Sequence, residues 1–187
     1  MKKLSVWLYQ VSNGWVALAA LVVFLTFTAL VLPAQSAQAE AISGEAGSPD
    51  MSFFYAPQSL YQMADAYGEQ GRSAYIQARF TFDLIWPVVY TLFLSTAISW
   101  IYARVFAPES RWRWANLAPI LGMGFDYLEN LATSLVMYRY PVSSDLIAWL
   151  APFFTAIKWI FVNGSFGLLL LGGAVAIWRL ARKSKSV

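Results

Sequence analysis

The sequence predicts an all-α protein, an integral membrane four-helix bundle with a short amphipathic helix in its first outer loop. Three observations predict it. Of 187 residues, 59% are hydrophobic and only 12% are charged, with a mean hydropathy of +0.52; soluble domains carry about a quarter charged residues. Four stretches approach the roughly 20 apolar residues that a spanning helix needs. Lys and Arg gather beside alternate ends of those stretches, the asymmetry that orients helices in a membrane. The whole chain, 1–187, reads as a single membrane domain.

The first span covers about 15–33 and is expected to end at Pro33. It has a rival reading. Lys2 and Lys3, a long apolar run and then Ala37-Gln38-Ala39 resemble a secretory signal with a small-residue cleavage site. The run is long for a signal, and ten residues separate Lys3 from Gly14, which favours an uncleaved helix. In both readings the segment that follows faces outward.

The outer loop spans 34–78. Ala41–Pro49 is small and polar. Leu60, Met63, Ala64 and Tyr67 then fall at i, i+3, i+4 and i+7, with Pro57 suited to a first turn and Gly68 to a stop. This predicts an amphipathic helix over Gln58–Tyr67, lying on the outer surface. Gly71 is expected to start a helix that runs through Tyr75 and Arg79 into the second span, about 80–103. The third span is about 115–138 and the fourth about 153–178.

Orientation follows from the basic residues. Lys2 and Lys3 precede the first span, Arg104, Arg111 and Arg113 fill the loop after the second, and Arg179, Arg182, Lys183 and Lys185 follow the fourth. The other side carries Glu40, Glu45, Asp50, Asp65 and Glu69, with Arg72 and Arg79 as exceptions. A plasma (bacterial inner) membrane protein with both termini cytoplasmic is predicted. Trp112, Trp114 and Trp178 at one interface, with Tyr138, Tyr140 and Trp149 at the other, suit aromatic belts.

Cys and His are absent. Disulfides, thiol chemistry, Cys/His zinc sites, His-ligated haem and Ser-His catalysis are therefore excluded. No cofactor or metal is implied. The net charge of +3 sits in short patches beside the apolar runs, a poor basis for nucleic-acid binding.

Asp83, Asp126, Glu129 and Lys158 stand inside otherwise apolar stretches. Such a group costs roughly 2.5–3.5 kcal/mol on insertion scales, so it usually faces a bundle interior and has a task. Asp126, Glu129, Asn130 and Thr133 share one helical face at i, i+3, i+4 and i+7. The predicted orientation puts all four charges in the outer half of the bilayer. Two carboxylates one turn apart in a low dielectric do not both ionise freely; they call for Lys158, a proton or a bound cation. Pro87 deprives the Asp83 carbonyl of its helical donor, and Tyr90, two turns from Asp83, is placed to cap a cavity. The candidate ligand-binding set is thus Asp83, Tyr90, Asp126, Glu129, Asn130 and Lys158. Plainer readings stand beside it. Asp83 can pair with Arg79 one turn away, Lys158 can snorkel outward, and Asn130 and Thr133 can be inter-helix hydrogen-bond glue. Gly122, Gly124, Gly164, Gly167, Gly172 and Gly173 read as close-packing positions.

Tyr67-Gly68-x-x-Gly71-Arg72-x-x-Tyr75, Phe82-Asp83 followed by Pro87 and Tyr90, Phe125-Asp126-x-x-Glu129-Asn130 and Lys158-Trp159 resemble a pattern in small four-helix bacterial membrane proteins. That resemblance covers most of the chain from about residue 50 and implies no activity. The size, the four spans and the inward acids are also loosely similar to the EXPERA, or sterol-isomerase-like, family, whose members bind hydrophobic amines or sterols between helices. That family uses an acidic residue in its first span, and 15–33 contains none.

Four functions compete. The first is binding of a lipid-like or amphiphilic ligand in an outward-facing polar pocket. Nearly level with it is a structural or accessory subunit working with a partner protein or as an oligomer. An intramembrane acid/base enzyme acting on a lipid or isoprenoid ranks lower, because no motif attaches to a reaction. Transport ranks last, since four helices seldom enclose a path without oligomerising. Membrane lipids are the expected surroundings in every case. A dry, salt-bridged interior would favour the accessory role; a hydrated cavity holding Asp126 and Glu129 would favour binding or catalysis.

Overall fold

The computed structural model describes residues 1–184, so Lys185 lies outside the described residues. The chain is helical nearly throughout, with no strand among the described residues.

The N-terminus forms two helices, α1 (Lys2–Val11) and α2 (Gly14–Thr26). Asn13 separates them. Its side chain accepts from the N–H groups of Trp15 and Val16 at 2.9 and 3.0 Å, satisfying two of the orphan donors at the start of α2. The Ser5 hydroxyl donates to Asn116 Oδ1 at 2.8 Å, and the Tyr9 hydroxyl donates to the Arg113 carbonyl at 2.8 Å. These bonds tie α1 to the 3₁₀ turn Arg111–Leu117.

Pro33 does not end the first long helix, contrary to the sequence reading. A π-helical turn, Phe27–Val31, leads straight into α3 (Leu32–Ser43). The Leu32 N–H reaches the Phe27 carbonyl, five residues back. The widened turn leaves Pro33 in the first turn of α3, where its missing N–H is not needed.

Helix α4 (Pro57–Arg79) bends at Gly68, whose φ of +61° is open to glycine at little steric cost. The predicted surface helix is its first half, and its placement differs from expectation. Leu60, Ala64 and Tyr67 are buried against Ala132, Val136, Met137 and Ala151. The apolar face covers protein rather than lying open on the surface. The predicted continuous run into the second span is also interrupted. Phe80 and Thr81 leave helical geometry, the Thr81 hydroxyl takes the Gln77 carbonyl at 2.7 Å, and α5 starts afresh over Phe82–Val105.

Helices α6 (Ala118–Arg139) and α7 (Asp145–Ser184) complete the described residues. The start of α7 lies well before the expected 153, and the helix passes through Pro152. Together α6 and α7 form the most extensive helix pair; α5 packs on both, and α2 packs on α5. Of the six glycines read as packing positions, two make close approaches. A Cβ on Gly172 would strike the Tyr102 ring, and one on Gly122 would meet Val162 Cγ2 at 3.1 Å, whereas the other four have open space. The Tyr127 hydroxyl donates to the Leu84 carbonyl at 2.9 Å, so the donor that α6 lends near Pro87 lands one residue along from the Asp83 carbonyl.

Three helical segments are long and apolar enough to cross a membrane: Gly14–Ala46, Pro57–Val105 and Asp145–Ser184. Trp15, Val22, Leu30, Ile160, Leu170 and Ile177 are exposed on them. Apolar surface on that scale suits a membrane location. Helix α6 is not among the three. Its buried face of Asp126, Glu129, Asn130, Thr133 and Ser134 lowers its hydropathy.

Candidate functional site

The polar groups of α5, α6 and α7 meet beneath the 44–56 segment, and the group at their centre comes from that loop. Pro49–Met51 forms a single 3₁₀ turn after the small, polar 44–48 stretch. Pro49 is buried, which points the next residue, Asp50, at the helices. The Arg79 guanidinium donates to Asp50 Oδ2, and Lys158 Nζ donates to Asp50 Oδ1 at 3.2 Å. One loop carboxylate thus bridges the last residue of α4 and the middle of α7.

Two arms extend from this bridge. On one, Arg79 lies 3.0 Å from Asp83 Oδ2 and stacks over the Tyr75 ring at 4.6 Å. On the other, Lys158 Nζ lies 2.5 Å from Glu129 Oε2 and 3.9 Å from Asp126 Oδ1. The Thr155 hydroxyl, one turn before Lys158, donates to Glu129 Oε1 at 2.8 Å and sits 3.4 Å from the Tyr55 hydroxyl. Tyr90 donates to Asp126 Oδ2 at 3.0 Å, and Asn130 Nδ2 lies 3.5 Å from Asp126 Oδ1. Glu129, Asn130, Thr133, Thr155 and Lys158 are all buried.

All six candidate residues therefore belong to one connected network, but not as one pocket. Tyr90, Asn130 and Lys158 each reach Asp126, and Lys158 also reaches Glu129. Asp83 joins them only through Arg79 and Asp50. Lys158 does not snorkel outward; it is buried and points at Glu129. The Tyr90 hydroxyl is spent on Asp126. Arg79 does pair with Asp83, as the plainer reading held. Tyr140 is no free interfacial ring, since it donates to Asp65 at 2.6 Å and lies under the Arg72 guanidinium.

Asp50, Tyr55 and Thr155 were missed. Asp50 and Tyr55 sit in non-periodic loop sequence, so helical spacing carries no signal for them. Thr155 did carry one, at i−3 from Lys158 on the same face. Burial opposes the charge on Asp50, but Arg79 and Lys158 outweigh it and hold this carboxyl well below the usual carboxylate range. Among the described residues no set of three or more carboxylates is arranged to hold a metal ion.

Comparison with protein-family models, curated proteins and solved structures finds no match for this chain.

Lys158→Met is expected to destabilise the detergent-solubilised protein by about 3–5 kcal/mol, since it leaves buried carboxylates without their cation. Adding Glu129→Gln should recover part of that loss, and adding Asp83→Asn should not. Thermal or denaturant melting reads the result; a midpoint unchanged by Lys158→Met would contradict the assigned pairing.

Proposed function

We propose that this chain is a multi-pass membrane protein with a structural or accessory role, in which a clamped outer segment is presented to a partner. In this reading α2, α5, α6 and α7 span the membrane as a four-helix bundle, with α6 sheltered enough to carry its acids. The 34–78 segment lies outside the plasma membrane and both termini lie in the cytoplasm. Two features support the topology. The basic α1 and the basic Arg111–Leu117 turn share one end of the molecule, and the acid-bearing outer segment sits at the other, where Ser144 N–H donates to the Tyr61 hydroxyl at 2.7 Å.

The observation that carries the role is that Lys158 occupies the place between Asp50, Asp126 and Glu129. The acids that were candidates for a ligand head or a general acid/base already hold a cation, a threonine and a tyrosine. A catalytic acid needs its reacting partner within about 2.6–3.2 Å, and Lys158, Thr155 and Tyr90 fill those directions. A salt-bridged centre ranks the accessory role above binding at Asp126 and Glu129, and above an enzyme. The likeness to small four-helix bacterial membrane proteins and to the EXPERA family is one of pattern, and this reading does not depend on it.

Two experiments test it. The chain has no cysteine, so single cysteines at Ser48 and Ser184 report topology. An impermeant thiol reagent on intact cells should label the first alone, and labelling of Ser184 alone would overturn the orientation. For the role, wild type from gently solubilised membranes should run on native gels as a discrete complex larger than its own 20.9 kDa plus detergent. Asp50→Asn, which loosens the outer segment without touching a span, should lose that complex at equal expression. Wild type migrating alone would sink the accessory reading.

A further inference from the structure

A groove lies beside the ionic network and shares none of its charged residues. It lies between the first long helix and the α4–α5 junction, with a volume of about 470 Å³, within the range of small-molecule sites. Phe27, Phe82 and Ile85 line one end. Gln35, Gln38 and Gln77 line the other. From Phe27 to Gln38 is about 16 Å by helical rise. None of the ten lining residues is charged.

Both walls of this groove are places where the helix departs from regularity. Phe27 and Val31, on one wall, begin and end the π-helical turn. Isolated π turns inside helices occur frequently at functional sites. On the other wall, Ala78, Thr81 and Phe82 flank the break between α4 and α5. The two irregularities face one another, and Phe27 stacks on Phe82 at 5.7 Å across the apolar end. The side-chain amides of Gln35, Gln38 and Gln77 make no hydrogen bond within the described residues. Three unengaged amides at one end and aromatic rings at the other grade the groove from hydrogen-bonding to apolar.

The geometry points to a binding site for a neutral, single-tailed amphiphile, seated with its tail between Phe27, Phe82 and Ile85 and its uncharged oxygen-bearing head among Gln35, Gln38 and Gln77. Amides both donate and accept, so they match hydroxyl and ester oxygens. An ionised head would find no counter-charge among the lining residues, whereas a neutral oxygen-bearing head can use the amides. Arg79, the residue after Ala78, borders the smaller neighbouring cleft and is held by Asp50 and Asp83. This site is separate from Asp126 and Glu129, and it goes beyond the accessory role without resting on it.

The test uses the full chain in phosphatidylcholine nanodiscs. Thermal midpoints are measured with monolaurin, laurate and dodecylamine, which share a tail and differ in head charge. The variant Ala74→Phe fills the groove from a half-buried position on its wall, away from the ionic network. Monolaurin should raise the wild-type midpoint by several degrees, with laurate and dodecylamine giving less than half that rise. Ala74→Phe should melt near the wild-type temperature and not respond to monolaurin. Gln38→Leu with Gln77→Leu should weaken the monolaurin response while leaving the groove open. No response of wild type to monolaurin would overturn the proposal, as would an equal response in Ala74→Phe. Equal shifts from all three amphiphiles would overturn the assignment of a neutral head.

Discussion

The bridge of Asp50 between Arg79 and Lys158 is the interaction on which the rest of this structure depends. It joins a loop, the end of α4 and the middle of α7 through one carboxylate. Without it, Arg79 would retain Asp83 and Lys158 would retain Glu129, but the two pairs would no longer be connected. The 44–56 segment would also lose its one ionic anchor to the helices. Four carboxylates surround two cations here. Neutral donors share the load, Tyr90 on Asp126 and Thr155 on Glu129. Buried ion pairs give little net stability over an apolar core, yet removing one partner is strongly destabilising. The bridge ties the 44–56 segment to the helices through Asp50.

The first half of α4 is packed down on the helices beside this bridge. Its face of Leu60, Ala64 and Tyr67 is committed to α6 and α7. Tyr140 over Asp65 and the Ser144–Tyr61 bond hold the same layer from the far side. A groove opens at the rim, between α3 and the α4–α5 junction. Clasp and groove are neighbours, since Ala78 lines the groove and Arg79, the next residue, sits in the clasp.

Much of this was legible in the sequence, and the failures have physical causes. The polar face of α6 was plain because its residues repeat at helical spacing, and the long apolar runs gave their helices by composition alone. Lys158 meets the α6 acids, as matching positions along the predicted spans suggest. Pro33 misled because a proline stop assumes regular i−4 bonding, and a π turn sidesteps that requirement. The junction at Phe80–Thr81 left no signal, since both residues fit a helix locally. Asp50 was invisible as a site residue. A loop carboxylate amid Gly, Ser and Pro reads as solvated, and only the tertiary fold brings it within reach of two cations 29 and 108 residues away.

The clasp is tested most directly by the pH dependence of the stability gap between wild type and Asp50→Asn. Asp50 has a folded-state pKa held below its unfolded value of about 3.9. Its contribution is therefore complete well above pH 4 and is lost as pH falls through the unfolded value toward the folded one. Asp83, Asp126 and Glu129 lie close enough to feel the Asp50 charge, so the gap reports Asp50 together with its hold on these neighbours. Thermal midpoints in detergent should show wild type clearly more stable from pH 7 to about pH 5, with the gap narrowing below about pH 4. Equal midpoints at pH 7, or a gap that does not change down to pH 3, would contradict the clasp.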